Sequence, residues 1–183
     1  MFGFQPVSSA FDIPCSKFDI LSTMLQGLVK MIRHMDGLTG PASTEHMAGL
    51  ISQANVTRDD MLNACKFSER TYARTTLAKS EWYQLLVICW KSGQASPIHD
   101  HEGSNCAVRI VDGVATETTF RDIGDGIVEP IETRELKKDE LCTAHHSDIH
   151  VIENQQPGQE LVTLHLYSPP LRMNYFNLAG ADS

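Results

Sequence analysis

The chain has 183 residues, of which 42% are hydrophobic and 21% charged, enough for one ordinary core but short for two domains. Its formal net charge of -8 argues against a nucleic-acid surface, since such surfaces carry clustered Lys and Arg. No apolar run approaches the roughly 18 residues of a membrane span, and the N-terminus lacks a basic segment followed by an apolar run. We therefore expect a cytosolic monomer with one domain over residues 1–183 and no nucleic-acid or membrane partner.

Helical patterns occupy residues 1–68, which we expect to form a cover over the rest of the domain. Between Ser16 and Asp36, apolar residues recur at spacings of three and four, as one face of a helix requires. These residues are Phe18, Leu21, Leu25, Leu28, Ile32 and Met35. Ser16 and Asp19 form a predicted capping pair, and Asp36-Gly37 is predicted to end the helix.

Two further short helices are predicted in this segment, one over 43–50 and one over 57–66. Asp60 is the expected capping partner of Thr57 in the second of them. His34 and His46 have no partner motif, so we interpret them as solvated or satisfied histidines rather than ligands.

After Arg70 the pattern changes to short apolar runs and period-two alternation, separated by Gly- and Pro-rich turns. Many short strands of this kind predict an antiparallel β-barrel over residues 69–178, with a mouth suited to a metal and a small ligand. The predicted strands are 71–77, 83–91, 105–111, 114–120, 127–136, 140–143, 149–152, 161–167 and 171–178.

Five cysteines are scattered along the chain, at Cys15, Cys65, Cys89, Cys106 and Cys142. Their number is odd and most lie in apolar surroundings, whereas a disulfide framework needs pairs and an oxidising compartment. The sequence therefore predicts free thiols.

The histidines of Ser96-Pro97-Ile98-His99-Asp100-His101 alternate, so a strand would place both imidazoles on one face, within reach of one metal ion. A third imidazole could come from His150, His145 or His146. Such a site suits zinc or iron with open positions, and its neutral ligands favour an anionic ligand such as a thiolate. The alternative is that these histidines are structural or solvated.

Two sets of motifs resemble known families. Gly93, His99, His101, Cys106 and Gly113, with His150 followed four residues later by Asn154, resemble the two motifs of cupin β-barrels. Within the cupins, four features resemble cysteine dioxygenase between about Met47 and Tyr175: Cys89-Trp90, His99-Asp100-His101, Cys106 and Leu164-His165-Leu166-Tyr167-Ser168-Pro169-Pro170. The resemblance implies a mainly β cupin fold and one Fe(II) held by His99, His101 and His150, with His145 and His146 in a surface loop.

Tyr72 and Arg74 share one face of a predicted strand, and the arginine fork suits a carboxylate. The resemblance to cysteine dioxygenases implies that both residues hold the carboxylate of L-cysteine. Without that resemblance, the ordinary interpretation of Arg74 is a surface ion pair.

Thr163, His165 and Tyr167 alternate along one strand and therefore point to the same side. The resemblance implies that they form a hydroxyl-histidine-tyrosine relay, with threonine where the family commonly has serine. It also implies a thioether between Cys106 and Tyr167, as in animal-type enzymes, and a cis Ser168-Pro169 bond. The alternatives are a core tyrosine satisfied by His165 and a buried free cysteine.

The implied activity is the dioxygenation of L-cysteine to cysteine sulfinic acid with O2 at a mononuclear Fe(II) centre. An alternative substrate is 3-mercaptopropionate, in whose enzymes glutamine typically stands at the Arg74 position. Two other classes of protein stay open. One is a zinc-dependent hydrolase, although the spacing of the sequence places no carboxylate as its general base. The other is a non-catalytic metal-binding cupin.

Overall fold

The computed structural model describes residues 16–180, with side chains from residue 26 onward. Two helices and a 3-10 turn precede nine strands in this part of the chain. The elements are α1 (Ser16–Asp36), α2 (Thr44–Gln53), a 3-10 turn (Asp59–Met61), β1 (Ala73–Lys79), β2 (Gln84–Trp90), β3 (Asn105–Asp112), β4 (Val114–Gly124), β5 (Ile127–Lys137), β6 (Leu141–Ala144), β7 (Ile149–Glu153), β8 (Leu161–Ser168) and β9 (Asn177–Leu178).

The strands form two sheets that share one core. One sheet has the order β1-β2-β8-β3-β6 and the other β7-β4-β5-β9, with antiparallel pairing throughout except for the parallel pair β5 and β9. Buried side chains from both sheets pack against one another, from Trp90 and Tyr167 in the first to Ala115 and Ile152 in the second. The predicted mainly β fold with an N-terminal helical cover is confirmed.

The helices cover the outer face of the five-stranded sheet. Leu85 and Val87 of β2 belong to the core that includes Met47 and Ile51 of α2, whereas Leu86 and Ile88 face the barrel interior. A strand covered on both faces needs apolar residues at every position, and β2 and β8 are buried almost without interruption. Truncating a side chain such as Leu85 to alanine would cost about 2 to 5 kcal/mol of stability.

The end of α1 is fixed against the barrel and against α2. Tyr83 donates its hydroxyl hydrogen to Asp36 Oδ1 at 2.6 Å, at the helix end that the sequence predicts. A Cβ at Gly27 would lie 2.2 Å from the carbonyl oxygen of Ala54, so only glycine allows this close approach of the two helices. The predicted Ser16–Asp19 capping pair, the apolar side chains at 18, 21 and 25, and Cys15 lie outside the described residues.

The third predicted helix, over 57–66, is wrong. Its capping pair forms, because Thr57 Oγ1 donates to Asp60 Oδ2 at 2.7 Å, but only the 3-10 turn at Asp59–Met61 follows. Cys65 and Phe67 both pack against the core, at a spacing of two residues that suits extended chain rather than a helix. The chain therefore leaves helical geometry early to reach β1.

The last predicted strand, 171–178, is also largely wrong, since only Asn177–Leu178 is a strand. An isolated bridge between His99 and Tyr175 holds the preceding segment, instead of a continuous ladder. The Asn174 backbone N–H and Nδ2 also donate to the two oxygens of Asp100, at 3.0 and 3.2 Å. The Ser168-Pro169 bond is cis, as predicted. Cys65, Cys89, Cys106 and Cys142 are free thiols, and within residues 16–180 no helix has the length and apolar character of a membrane span.

Candidate metal centre

Three buried histidines converge on one point at the mouth of the barrel. The ligand atoms of His99, His101 and His150 all lie within 4.8 Å of one another, and the three ring centroids are 4.9 to 5.2 Å apart. Such spacing allows one metal ion to bind all three imidazoles. The three residues predicted from the sequence are the ones that the structure brings together.

The backbone that positions them differs from the prediction, because His99 and His101 do not lie on a regular strand. His99 makes isolated antiparallel bridges with His150 and with Tyr175. In the bridge with His150, each backbone N–H donates to the other residue's carbonyl, at 3.1 and 2.9 Å. Directly paired residues project to the same face, so this bridge places the two imidazoles side by side. His101 enters a turn that continues through Glu102 and Gly103, both at positive φ.

Burial distinguishes the three candidates for the third position. His150 is 3% exposed and lies within the cluster, whereas His145 and His146 are exposed in the loop before β7. The backbone carbonyl of His146 nevertheless accepts the N–H of His101 at 3.2 Å, which ties this loop to the site. The prediction that His145 and His146 are surface loop residues is confirmed.

The rings of His99 and His101 are neutral and suited to a cation. Burial, followed by the neighbouring His150, lowers the pKa of His99 to about 4 and that of His101 to about 3. Among the described residues, neither ring nitrogen of buried His101 has a hydrogen-bond partner of good geometry, although the backbone of His145 is close enough to oppose the lowering of its pKa. A buried imidazole without partners is costly unless another group satisfies it, and a metal ion would do so. The residues present therefore fit a divalent metal.

Hydrogen bonds at the far side of two rings fix which nitrogen faces the centre. His99 Nδ1–H donates to the carbonyl of Pro97 at 2.8 Å, and His150 Nδ1–H donates to Glu117 Oε1 at 2.9 Å. Each arrangement leaves an Nε2 lone pair for a metal.

Glu117 is a residue of this site that the sequence analysis did not identify. It is 3% exposed, and its second oxygen accepts hydrogen bonds from Arg134 Nε and Nη2 at 2.8 and 2.6 Å. Burial alone raises the pKa of Glu117, but His150 and Arg134 outweigh it, so the pKa lies below its ordinary value. One feature of the sequence could have identified it. Glu117 follows the buried Ala115 of β4 by two residues, so both side chains point into the barrel, where a charge is unusual.

A cavity beside the histidines contains the side chains predicted for substrate binding. Its lining includes Tyr72, Arg74, His99, His150 and Tyr167. Trp90, His165 and Met173 also line it.

Arg74 Nη2 donates to the Tyr72 hydroxyl at 2.5 Å. The structure therefore brings Tyr72 and Arg74 together, as their shared phase predicts. Arg74 is exposed at this mouth, with its remaining donors available to a ligand.

The side chains of Thr163, His165 and Tyr167 form a continuous hydrogen-bonded chain on β8. Thr163 Oγ1 and His165 Nε2 are 2.8 Å apart, and His165 Nδ1 and the Tyr167 hydroxyl are 3.0 Å apart. All three are buried, and burial lowers the pKa of His165, so its imidazole is neutral. A neutral imidazole has one donor and one acceptor nitrogen. His165 can therefore accept a hydrogen bond from one of its two neighbours in this chain and donate one to the other.

Cys106 of β3 pairs directly with Tyr167 of β8. Opposite residues of antiparallel strands have Cβ atoms about 4.5 to 5.5 Å apart, so their side chains can contact one another. Cys106 is fully buried and its thiol contacts Tyr167. Burial raises the pKa of both the Cys106 thiol and the Tyr167 hydroxyl well above their ordinary values.

Solved structures share this fold at low sequence identity. An uncharacterized conserved protein with a double-stranded β-helix domain from Klebsiella pneumoniae superposes with a TM-score of 0.53 and 17% identity, covering 63% of this chain and 88% of that one. The protein TT1209 of Thermus thermophilus superposes with a TM-score of 0.51 and 19% identity, covering 61% and 95%. The fold and the histidine cluster thus define a cupin-type double-stranded β-helix with a site that could hold a metal.

The sequence comparisons are more specific. The family model for cysteine dioxygenase type I matches residues 26–177, and the chain belongs to that family. It is 27% identical to cysteine dioxygenase type 1 of Danio rerio over 154 residues, covering 81% of this chain and 76% of that protein. It is 33% identical to the Rattus norvegicus protein of that name over 109 residues, which is 57% of this chain but only 54% of the relative.

Proposed function

We propose that this protein is a mononuclear iron thiol dioxygenase that converts L-cysteine and O2 to cysteine sulfinic acid. The observation that carries the proposal is that one small cavity joins His99 and His150 of the histidine cluster to Arg74 and Tyr167. Membership of the cysteine dioxygenase type I family supports it. In the reaction the sulfur of the thiol gains both atoms of O2, so sulfur is oxidised, O2 is reduced, and no further reductant is needed.

In this proposal His99, His101 and His150 hold one Fe(II) per chain. The donor set supports an open site, because three imidazoles leave positions for other ligands. When bound there, iron would supply the redox chemistry by which O2 oxidises the thiolate of the substrate. Three neutral imidazoles also leave the full charge of the ion to attract that thiolate.

The substrate carboxylate is assigned to Arg74 and Tyr72. Arg74 presents donors to the cavity in a fork that matches a carboxylate, and the Tyr72 hydroxyl lies beside it at 2.5 Å. This contact fixes one end of the amino acid, so its thiol reaches the histidine cluster in a defined orientation.

Tyr167 is assigned to the reacting end of the substrate. His165 and Thr163 hold its hydroxyl at the cavity wall, where it can donate a hydrogen bond to a ligand at the histidine cluster. We further propose that Cys106 and Tyr167 become linked by a thioether, for which their direct pairing is the support.

The other sequence predictions stay predictions: one domain with a cover over residues 1–68 and a barrel over 69–178, a monomeric state and a cytosolic location. A zinc hydrolase is less well supported. Both oxygens of the buried Glu117 already accept hydrogen bonds, so this carboxylate is not free to act as a general base.

One assay tests the proposal. Protein loaded with Fe(II) under anaerobic conditions is mixed with aerated L-cysteine, while O2 uptake and the sulfinate product are measured. We expect cysteine-dependent O2 uptake with one O2 consumed per sulfinate formed, and none with zinc-loaded protein. A stronger response to 3-mercaptopropionate would assign that substrate instead, and iron-bound protein without thiol-dependent uptake would indicate a non-catalytic cupin.

A further inference from the structure

The ion pair between Glu117 and Arg134, behind the histidine cluster, is not used by the proposed reaction. Arg134 of β5 and Glu117 of β4 are direct cross-strand partners. Arg134 donates to Glu117 Oε2 through Nε and Nη2, while Glu117 Oε1 accepts from His150 Nδ1. The side chains of Glu117 and His150 are 3% and 4% exposed, whereas that of Arg134 is 47% exposed. A chain of contacts therefore runs from the surface to one candidate metal ligand.

Packing does not account for the carboxylate. Glu117 lies in the interior phase of β4 with Ala115, and its partner in register on β7 is the buried Ile152. A carboxylate in such a position is costly unless it is paired and hydrogen-bonded. An apolar residue at position 117 would fill the same space without that cost, so the charge requires another explanation.

Glu117 determines the state of the His150 ring. Because Arg134 donates twice to Oε2, the carboxylate is held ionised, and an ionised carboxylate only accepts hydrogen bonds. His150 Nδ1 must then carry the hydrogen, which leaves the Nε2 lone pair directed to His99 and His101. Arg134 keeps the carboxylate in this orientation, since its planar fork fixes the direction of both donors.

The three candidate ligands differ in the group that hydrogen-bonds to the ring nitrogen facing away from the cluster. The partner of His99 Nδ1 is the neutral carbonyl of Pro97, and no carboxylate among the described residues hydrogen-bonds to the ring of His101. His150 alone of the three, within the described chain, is backed by a full negative charge. A carboxylate behind a histidine ligand raises its basicity and fixes its tautomer.

We propose that Glu117, held by Arg134, is a positioning residue that sets the affinity of the site for a divalent metal through His150. The inference rests on the proposed function only in taking the three histidines as metal ligands. It gives the site a carboxylate, Glu117 of β4, that is held by Arg134 of β5 and acts on the metal through His150. The three candidate ligand atoms themselves are all imidazole nitrogens.

The primary variant is Glu117→Gln. If the amide oxygen faces Arg134, its NH2 faces His150 Nδ1 and favours the tautomer in which Nε2 carries the hydrogen and cannot bind metal. If the oxygen faces His150, the NH2 opposes the donors of Arg134. Either arrangement disrupts the chain while keeping the size of the side chain. Arg134→Gln is the companion variant, because Arg134 is half exposed and the change removes no side chain from the core.

The chain contains a matched control. Arg121 and Glu129 are also direct cross-strand partners on β4 and β5, and they also form an ion pair, but both are far more exposed than Glu117. Glu129→Gln and Arg121→Gln therefore remove the same chemistry from the same hairpin without touching a histidine.

The measurement is the dissociation constant for Co(II), followed by its visible absorption, with Fe(II) measured anaerobically by competition with a chelator. We expect Glu117→Gln to weaken both metals by about 10- to 100-fold and to change the Co(II) spectrum, with a smaller loss for Arg134→Gln. Both controls should match the parent. If Glu117→Gln does not fold by circular dichroism, Arg134→Gln decides, and parent-like affinity there overturns the proposal.

A second measurement separates positioning from general stability. A cavity of about 220 Å³ borders Glu117, Arg134 and His150, so Glu117→Ala leaves space that a small anion can enter. Added formate should restore Co(II) affinity in Glu117→Ala and leave the parent unchanged, which a purely structural role would not produce.

The outcomes distinguish this inference from the proposed function. Parent protein that oxidises cysteine, with Glu117→Gln binding Co(II) and Fe(II) as tightly as the parent, overturns the inference and leaves the function standing. Parent protein that binds both metals but oxidises no thiol, with weakened binding in Glu117→Gln, removes the function and supports the inference. Parent protein that binds neither metal overturns both.

Discussion

The indole Nε1–H of Trp90 donates to Thr163 Oγ1 at 2.9 Å inside the barrel. The same indole stacks on the ring of Tyr72, with centroids 4.4 Å apart and planes inclined by 24°. Trp90 thus contacts both the Tyr72–Arg74 pair and the chain that leads through His165 to Tyr167. An indole N–H can only donate, so the Thr163 hydroxyl oxygen must accept this hydrogen bond. The Thr163 hydroxyl hydrogen is then free to be donated to His165 or to the carbonyl of Ile88.

We predict that Trp90→Phe lowers kcat for cysteine while KM changes little. Phenylalanine keeps the aromatic stack on Tyr72 but removes the hydrogen bond to Thr163, which is worth about 0.5 to 1.5 kcal/mol net. If the chain positions Tyr167, kcat should fall severalfold. Steady-state O2 uptake measures both constants, with Trp82→Phe as the aromatic control outside the cavity lining. A rise in KM with unchanged kcat would show that Trp90 acts through Tyr72 instead.

Replacement of His150 by alanine should remove both bound iron and activity, because two imidazoles hold a labile divalent ion poorly. His145→Ala and His146→Ala change exposed residues of the adjacent loop and serve as matched controls. Iron content after desalting, measured by elemental analysis, should approach one per chain in the controls and near zero in His150→Ala. Full iron in His150→Ala, with loss in either control, would mean that the third ligand is wrong.

The sequence predicts the histidine cluster better than the backbone that carries it. Alternation of His99 and His101 is visible in the sequence, but isolated bridges from His99 to His150 and Tyr175 replace the expected strand, because nonlocal pairing overrides local pattern. The helix expected over 57–66 has the right capping residues, yet the packing of Phe67 draws the chain into extended form. Glu117 could not be assigned from spacing, since its partners Arg134 and His150 are distant in sequence and meet only in the folded sheet.

Arg74→Gln should raise KM for cysteine by roughly tenfold or more, because a charge-assisted hydrogen bond contributes about 1.5 to 3 kcal/mol. The parent should oxidise cysteamine poorly, since cysteamine lacks the carboxylate. Tyr72→Phe, which removes one neutral donor, should show a smaller effect of the same kind. Arg121→Gln, on the exposed β4–β5 hairpin, is the charge-matched control. Equal oxidation of cysteamine and cysteine by the parent would contradict the carboxylate role.

The last prediction concerns the thioether between Cys106 and Tyr167. These residues are directly opposed on β3 and β8, both are buried, and the thiol contacts the tyrosine. A link between them would hold the Tyr167 ring in one rotamer beside the histidines, which catalysis by positioning favours. Its formation removes the thiol hydrogen and one ring hydrogen, with O2 as the oxidant, so the chain loses two hydrogen atoms.

Incubation with iron, cysteine and O2 should therefore lower the intact mass by two hydrogens and produce a joined peptide that contains Cys106 and Tyr167. Cys142 is the matched control, because it is a free thiol buried in the same interior core but paired in register with Val108. Cys142→Ser should still form the link, whereas Cys106→Ser should not. Cys106 that stays fully alkylatable after turnover in denatured protein, on a peptide separate from Tyr167, would exclude the link and leave the dioxygenase proposal intact.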